Sequence, residues 1–341
     1  MTVGAYKYTP IRKLSLIMIN ASNVTKTYDG SKVVDNISFS VECGETLVLL
    51  GTSGCGKTTT LKMINRLVEP TSGRIVIEGR DIQKQKPEDL RKQIGYVIQN
   101  IGLFPHYTVE QNIAIVPNLL NWDKKRITKR TLELMELVGL PLEYLQRHPN
   151  ELSGGQQQRV GLARALAADP SIVLLDEPFG ALDPITRRQI QEEFKNLETL
   201  LHKTMILVTH DVLEAIDLGD RICLMDRGKV QQMGTAKELI FSPENEFSKS
   251  FFQAKRFQLE LKVTKLKELL PEIQSHDIND KDVKMFSADD SLLDVLETME
   301  KYSLRNSTLQ IQNFSSQSPI LNTTCEDLLS VFYKIKSKQK C

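Results

Sequence analysis

The chain lacks a cysteine framework. Its five cysteines, Cys43, Cys55, Cys223, Cys325 and Cys341, are odd in number, scattered, and contain no CxxC pair. That argues against a disulfide scaffold or a zinc site and for a reducing, cytosolic setting. The chain also lacks an excess of either charge, with 44 Lys+Arg against 43 Asp+Glu. Binding nucleic acid through an overall field needs a positive surplus, so no nucleic-acid partner is expected. No apolar run approaches the roughly 20 residues that cross a bilayer. The longest near the start, Leu14 to Ile19, is interrupted by Ser15 and is too short for a signal-peptide core. A membrane role is therefore expected to come through a partner. The residues before Met18 show no clear periodicity, so 1–17 read as an N-terminal extension, with Met18 an alternative start.

What is present is a nucleotide motif in its proper setting. Thr46-Leu47-Val48-Leu49-Leu50 is a short apolar run that reads as a buried strand. Gly51-Thr52-Ser53-Gly54-Cys55-Gly56-Lys57-Thr58-Thr59 follows it, and then a helical segment from Thr60 to Ile64. In strand, glycine-rich loop, helix order, GxxxxGK[ST] turns backbone N–H groups toward phosphates at the positive end of a helix dipole. Lys57 can reach the β- and γ-phosphates, and the Thr58 hydroxyl can ligate Mg²⁺. Cys55 sits near the helix start, a setting that lowers a thiol pKa. The simpler reading of Cys55 is a small residue at a free position of the motif.

Two further stretches belong with this loop. Ile172-Val173-Leu174-Leu175 reads as a strand that ends in Asp176 and Glu177, where α/β sheets hold their ligands. Asp176 suits Mg²⁺, and Glu177 suits a general base acting on water. The second stretch is Leu152-Ser153-Gly154-Gly155-Gln156, an N-cap serine and two glycines opening a long helix. One nucleotide rarely needs two anion-binding helix starts from one chain, which suggests that a second subunit supplies one of them.

Other runs at Ile75–Ile77, Ile94–Ile98, Met205–Val208 and Arg221–Met225 read as strands of a largely parallel sheet. Gly73, Gly79 and Gly228 read as turns beside an antiparallel portion. Between Pro105 and Pro149 the pattern is helical, with Thr131–Val138 amphipathic and Gly139 as its stop. Beyond about Phe241, residues 246–267 read as one helix and Asp289-Asp290-Ser291 as the cap of another. Lys334, Lys336, Lys338 and Lys340 read as a solvated, frayed end. No second phosphate loop occurs, so the chain carries one nucleotide domain.

In combination and order, the phosphate loop, LSGGQ, LLDEP, Gly180-Ala181-Leu182-Asp183 and Val208-Thr209-His210-Asp211 resemble the nucleotide-binding subunit of ATP-binding cassette (ABC) transporters over roughly residues 18–245. The resemblance implies an α/β, P-loop NTPase, ABC-type domain with an antiparallel β subdomain and a helical subdomain. It implies that Tyr28 stacks on adenine and that Gln99 senses the γ-phosphate and Mg²⁺. It further implies that Asp183 contacts the opposite subunit and that His210 hydrogen-bonds the γ-phosphate. ATP would lie between Lys57 of one copy and Ser153 of a second, and dimer closure would drive a membrane permease served indirectly by a solute-binding protein. The subunit would then lie peripherally on the cytoplasmic face of the membrane.

The segments Gln99–Val109, Asn112–Pro117 and Pro184–Arg188 look most like the glycine betaine/carnitine/choline importers. Two alternatives stay open: import of an amino acid or polyamine, and a soluble cassette ATPase acting on ribosomes or DNA. Residues 246–341 read as a small α+β accessory domain, in which Phe286–Ile311 resembles one half of a CBS module.

Overall fold

The computed structural model describes residues 17–99, 102–180, 182–273, 284–302, 308–312 and 321–338. The extension before Ile17, Asn100, Ile101, Ala181, Lys340 and Cys341 lie outside the described residues. The chain divides between Thr235 and Ala236 into two compact units, ahead of the boundary read at 245.

The first unit is built on a six-stranded sheet. Strands β1 (Ile17–Tyr28) and β2 (Ser31–Glu42) lead into β3 (Thr46–Gly51). Helix α1 (Lys57–Ile64), β4 (Ser72–Ile77), β5 (Arg80–Asp81), α2 (Pro87–Lys92) and β6 (Ile94–Val97) follow. Next come α3 (Val109–Leu119), α4 (Lys124–Leu137), α5 (Gly154–Leu166) and β7 (Ile172–Asp176). Helix α6 (Pro184–Leu201), β8 (Thr204–Thr209), α7 (Val212–Leu218), β9 (Arg221–Asp226) and β10 (Lys229–Gly234) complete the unit.

The main sheet has the order β10-β9-β3-β8-β7-β6, parallel throughout except for β10. Every residue of β3, β7 and β8 is buried. Continuous apolar strands fit a sheet covered on both faces, and α1, α5 and α7 are among the elements packed on it. Because the strands are parallel, the loops after β3, β8, β7 and β6 all leave from one end. This places the phosphate loop beside the Asp176-Glu177 pair.

A separate antiparallel sheet, β2-β1-β4-β5, packs into the same core through Val34, Phe39, Ile75 and Ile77. Gly79 and Gly228 sit between paired strands, but Gly73 lies inside β4. Its φ is +88°, and a Cβ there would stand 2.3 Å from the Asn23 carbonyl oxygen. Close strand approach, not a turn, requires that glycine. Between Pro105 and Pro149 the α-helices are α3 and α4, with α5 beyond Pro149 packed on both, and α4 ends just before Gly139, as the pattern indicates. Buried Asn112 donates to the carbonyls of Phe104, Tyr107 and Thr108 at 3.0–3.2 Å and accepts from Phe104 N–H. It pins the loop in front of α3.

The second unit holds α8 (Ala236–Phe241), α9 (Glu246–Gln253), α10 (Arg256–Val263), α11 (Leu266–Leu269) and β11 (Lys284–Ser287). It continues with α12 (Leu292–Lys301), β12 (Leu309–Gln312), β13 (Leu321–Thr323) and α13 (Cys325–Lys338). Its sheet order is β11-β12-β13. The single helix read across 246–267 is three helices. Thr264 leaves the helix, and Leu266 and Lys267 donate instead to the carbonyls of Asp290 and Ala288. Backbone pairing with a distant segment outweighs local helix propensity there. Ser291 caps α12, accepting from Asp294 N–H at 3.1 Å.

The lysine-rich end is not frayed through residue 338. Leu328, Val331 and Phe332 of α13 are buried in the unit's core, and Ile335 packs against it. Lys334 reaches Glu272 at 2.7 Å, and Lys336 binds Glu260, which is 1% exposed. An apolar stripe at i, i+3, i+4 and i+7 anchors a helix whose lysines occupy its other faces.

If α13 closes this core, Leu328→Ala costs about 2–5 kcal/mol of the second unit's stability. Denaturant unfolding, with hydrogen exchange followed over residues 284–338, measures the loss. Unchanged protection would contradict the packing.

Candidate active site

The phosphate loop gets its shape from what its residues touch. Gly56, at φ +102°, forms the N-cap of α1, and a Cβ there would meet the Val33 carbonyl oxygen at 2.6 Å. Lys57 is buried, and its ammonium donates to the carbonyls of Gly51 at 2.8 Å and Thr52 at 2.9 Å. The Thr52 hydroxyl donates to Asp226 at the end of β9, 3.1 Å away. Thr60 Oγ1 donates to Gly56 O and staples the first helical turn. Thr52, Ser53 and Gly54 form an exposed crest, while Thr58 and Thr59 are half-buried. Cys55 is buried, and burial pushes its thiol up while nearby Lys57 pulls the other way. Desolvation outweighs the pull of Lys57 on this thiol.

Asp176 ends β7 with its side chain buried, and its Oδ1 accepts from the Thr58 hydroxyl at 2.8 Å. Burial pushes this carboxyl up, opposed by the Thr58 bond and by Lys62, with Glu177 adding repulsion. Half-buried Tyr96 lies within the field of the same carboxylate: burial, and then the Asp176 charge, push its hydroxyl pKa up.

Glu177 follows in the left-handed region at φ +45°. A non-glycine residue held there is strained, and its N–H is tied to Val208 O at 3.0 Å. The turn sets its carboxylate between two neighbours. Gln99 Nε2 donates to Glu177 Oε2 at 3.0 Å, and His210 Nδ1 lies 3.4 Å from Oε1. These three residues follow β6, β7 and β8, which are adjacent strands.

The structure adds Glu214 to the Thr209 and Asp211 of the motif around His210. Thr209 Oγ1 donates to Glu214 Oε2 at 2.8 Å and accepts from Asp211 N–H at 3.0 Å. Asp211 in turn caps α7, accepting from Leu213 and Glu214 N–H. This buried knot holds both sides of His210. Its signal in the sequence is the Asp211-x-x-Glu214 spacing of a helix start. Burial pushes Glu214 up to about 7.

Other expected site residues stand elsewhere. Ser153 caps α5, exchanging hydrogen bonds with Gln156 in a capping box. Gly154 and Gly155 form the first turn, packed so closely that a Cβ on Gly155 would meet Thr186 at 2.9 Å. Asp183 is exposed and caps α6 through Thr186 N–H at 3.1 Å. Helix α5 packs against β6, three places from β3 in the sheet order. Tyr28 lies at the tip of β1, 43% exposed, with the Lys26 ammonium 4.8 Å above its ring. An open cleft of about 900 Å³ is lined by Glu78, Lys86, Asp89 and Asp169 near the amino ends of β6 and β7. It is remote from the chemistry, which α/β sheets place at their carboxyl ends.

A family model described as ABC transporter matches residues 34–180. The chain is 53% identical over 240 residues to a choline transport ATP-binding protein, OpuBA, of Bacillus subtilis, covering 70% of this chain and 63% of that one. It is 51% identical over 235 residues to a glycine betaine uptake system ATP-binding protein, YehX, of Escherichia coli, covering 69% and 76%. Among solved structures, the ATP-binding cassette MJ0796, described as a dimer bound to ADP and Pi in a post-hydrolysis state, superposes with TM-score 0.58 at 34% identity. That match covers 64% of this chain and 98% of the other. The matched stretch thus spans less than two thirds of the Bacillus relative's own length.

The Glu214 carboxyl carries a pH prediction. Its folded pKa is raised above the usual glutamate value, so its contribution is fully present below about pH 4.5 and is lost as pH rises through about 7. Glu214→Gln should remove on the order of 3 kcal/mol of this pH dependence between those values. Thermal unfolding of both forms across that range checks it, and parallel curves would refute it.

Proposed function

Because this chain belongs to the ABC transporter family of ATP-binding subunits, we propose that it hydrolyses ATP with Mg²⁺ between two copies to drive a membrane permease. The single observation that carries the reading is the Gln99–Glu177–His210 cluster beside the Thr58–Asp176 pair. Lys57, the Gly51–Thr59 backbone and the start of α1 hold the phosphates. Thr58 and Asp176 offer adjacent hard oxygen donors, a set that fits Mg²⁺. When bound, the ion neutralises charge on the β- and γ-phosphates. A carboxylate held up by burial gains most from such a cation, which supports Asp176 in that role.

Glu177 is the general base, taking a proton from the attacking water on its carboxylate. Gln99 fixes one of its oxygens, leaving the carboxylate a defined orientation, and His210 holds the other side and faces the γ-phosphate. Tyr28 stacks on the adenine. Ser153 and the N–H groups of Gly154, Gly155 and Gln156 complete the site of a second copy, with Asp183 reaching across. The distance in sheet order between α5 and β3 supports a completion in trans, as does the dimeric solved cassette.

The subunit sits peripherally on the cytoplasmic face of the membrane. None of the helices among the described residues is long and apolar enough to cross it. Phe104 and Tyr107, exposed with rings 5.5 Å apart and pinned by Asn112, offer the permease an apolar seat. The relatives' names support import of a quaternary-amine osmolyte such as glycine betaine, carnitine or choline. Residues 18–245 act as the cassette and 246–341 as an accessory, CBS-like domain.

Glu177→Gln should leave ATP affinity unchanged and lower turnover by about 10²–10⁴-fold; retained hydrolysis would remove Glu177 as the base. Lys57→Ala should weaken ATP binding itself, and equal affinity by equilibrium titration would remove the phosphate assignment. With its permease in proteoliposomes, the subunit should drive ATP-dependent uptake of at least one of the three osmolytes. Association with ribosomes or DNA and no permease would overturn the transport reading.

A further inference from the structure

We propose that Arg187 is a positioning residue that holds the segment between Glu177 and Asp183 in the form the two-copy site needs. The inference rests on the sandwich reading above and assigns a means of building it.

The segment from Glu177 to Asp183 links two different sites. Its first residue is the base for one nucleotide, and its last reaches toward the nucleotide on the second copy. Its described residues lie outside helix and strand, and ordering such backbone costs about 1–2 kcal/mol per residue. Two turns fold it: Gly180 N–H donates to Glu177 O at 3.1 Å, and Leu182 N–H donates to Phe179 O at 3.3 Å. Those bonds leave much of the carbonyl capacity of the turns unused.

Arg187, in the first turn of α6, takes it up. Its Nε donates to Phe179 O at 3.1 Å, and Nη2 donates to Leu182 O at 2.9 Å and Gly180 O at 3.4 Å. One guanidinium thus grips three carbonyls of the segment. Arg187 N–H also donates to Asp183 O at 2.9 Å, so the same residue closes the helix start. On the far side, the buried Glu214 carboxyl on α7 is pulled down by Arg187 and pushed up by Glu177. The Arg187 charge therefore stands within the field of the His210 support as well.

The neighbouring arginine shows that this is not a general property of the helix. Arg188 is exposed and pairs with Glu192 at 3.6 Å along the same helix. Such a pair contributes little. The chemistry of Arg187 is also specific: a planar fork with five donors spans three carbonyls, and a lysine ammonium on a flexible stem does not reproduce that geometry.

The consequence is a fixed spacing between base and partner contact. Freed from Arg187, the segment keeps Lys57, Thr58 and Asp176 untouched, so one copy still binds ATP. What it loses is the placement of Asp183 on the second copy.

The test uses the full chain in the Glu177→Gln background, where ATP is bound and not turned over. Sedimentation at rising ATP measures dimer formation, and a fluorescent ATP analogue measures nucleotide affinity at concentrations too low for dimers. Adding Arg187→Ala should weaken ATP-driven dimerisation at least ten-fold, with monomer affinity changed less than about two-fold. Arg187→Lys, which keeps the charge and the helix, should show the same loss. Dimerisation equal to the Glu177→Gln parent in either variant would overturn the proposal. Nucleotide affinity falling in step with dimerisation would overturn it too, marking a role in overall integrity alone. If the Glu177→Gln parent itself shows no ATP-driven dimer, the sandwich reading fails first and takes this inference with it.

Discussion

The parallel register of β3, β8, β7 and β6 is the constraint on which the rest depends. Hydrogen bonds between neighbouring strands set their carboxyl ends side by side at about 4.8 Å intervals. Each end carries one piece of the chemistry: the phosphate loop, His210, the Asp176-Glu177 pair and Gln99. No loop has to reach far, and none needs to be long. The complete burial of β3, β7 and β8 makes this arrangement stiff, because shifting one strand would break the apolar packing on both its faces.

That stiffness supports groups that would otherwise be unfavourable. A carboxylate buried at Asp176, another at Glu214 and a left-handed glutamate at 177 each cost free energy in isolation. Each is held by a neighbour from an adjacent strand or helix. Thr58 donates to Asp176, Thr209 donates to Glu214, and Gln99 with the Val208 carbonyl holds Glu177. These three groups gather where the chemistry is proposed to occur, although left-handed non-glycine backbone also occurs at Asn23 and Asn36 in the antiparallel sheet and at Asn121 between α3 and α4.

How much was legible beforehand varies with the range of the interaction. The strands of the main sheet, the phosphate loop and the caps at Ser153 and Ser291 are local patterns, and they stand where the spacing put them. Family resemblance supplied Tyr28, Gln99, Asp183 and His210, which no local pattern singles out. Gly73 read as a turn because a glycine signals one; the approach of Asn23 from another strand is invisible along the chain. The breaks in the 246–267 stretch and the anchoring of the lysine-rich end are hidden along the chain for a related reason. Thr264, Lys336 and their neighbours answer to partners that are close only after folding.

The order of motifs in the sequence by itself determined the family, the sheet that carries the loop, and the residue types able to hold phosphate, metal and proton. These depend on near-neighbour spacing, which the chain states directly. Only the tertiary structure decided which side chains meet. Gln99 beside Glu177, Thr58 on Asp176, Glu214 on Thr209 and Arg187 across three carbonyls are contacts between segments set far apart or bent back on themselves. They form only once the strands have paired and brought those segments together. The loop at Gly51–Thr59 is therefore readable as a phosphate cradle from nine residues, whereas its working surroundings exist only in the fold.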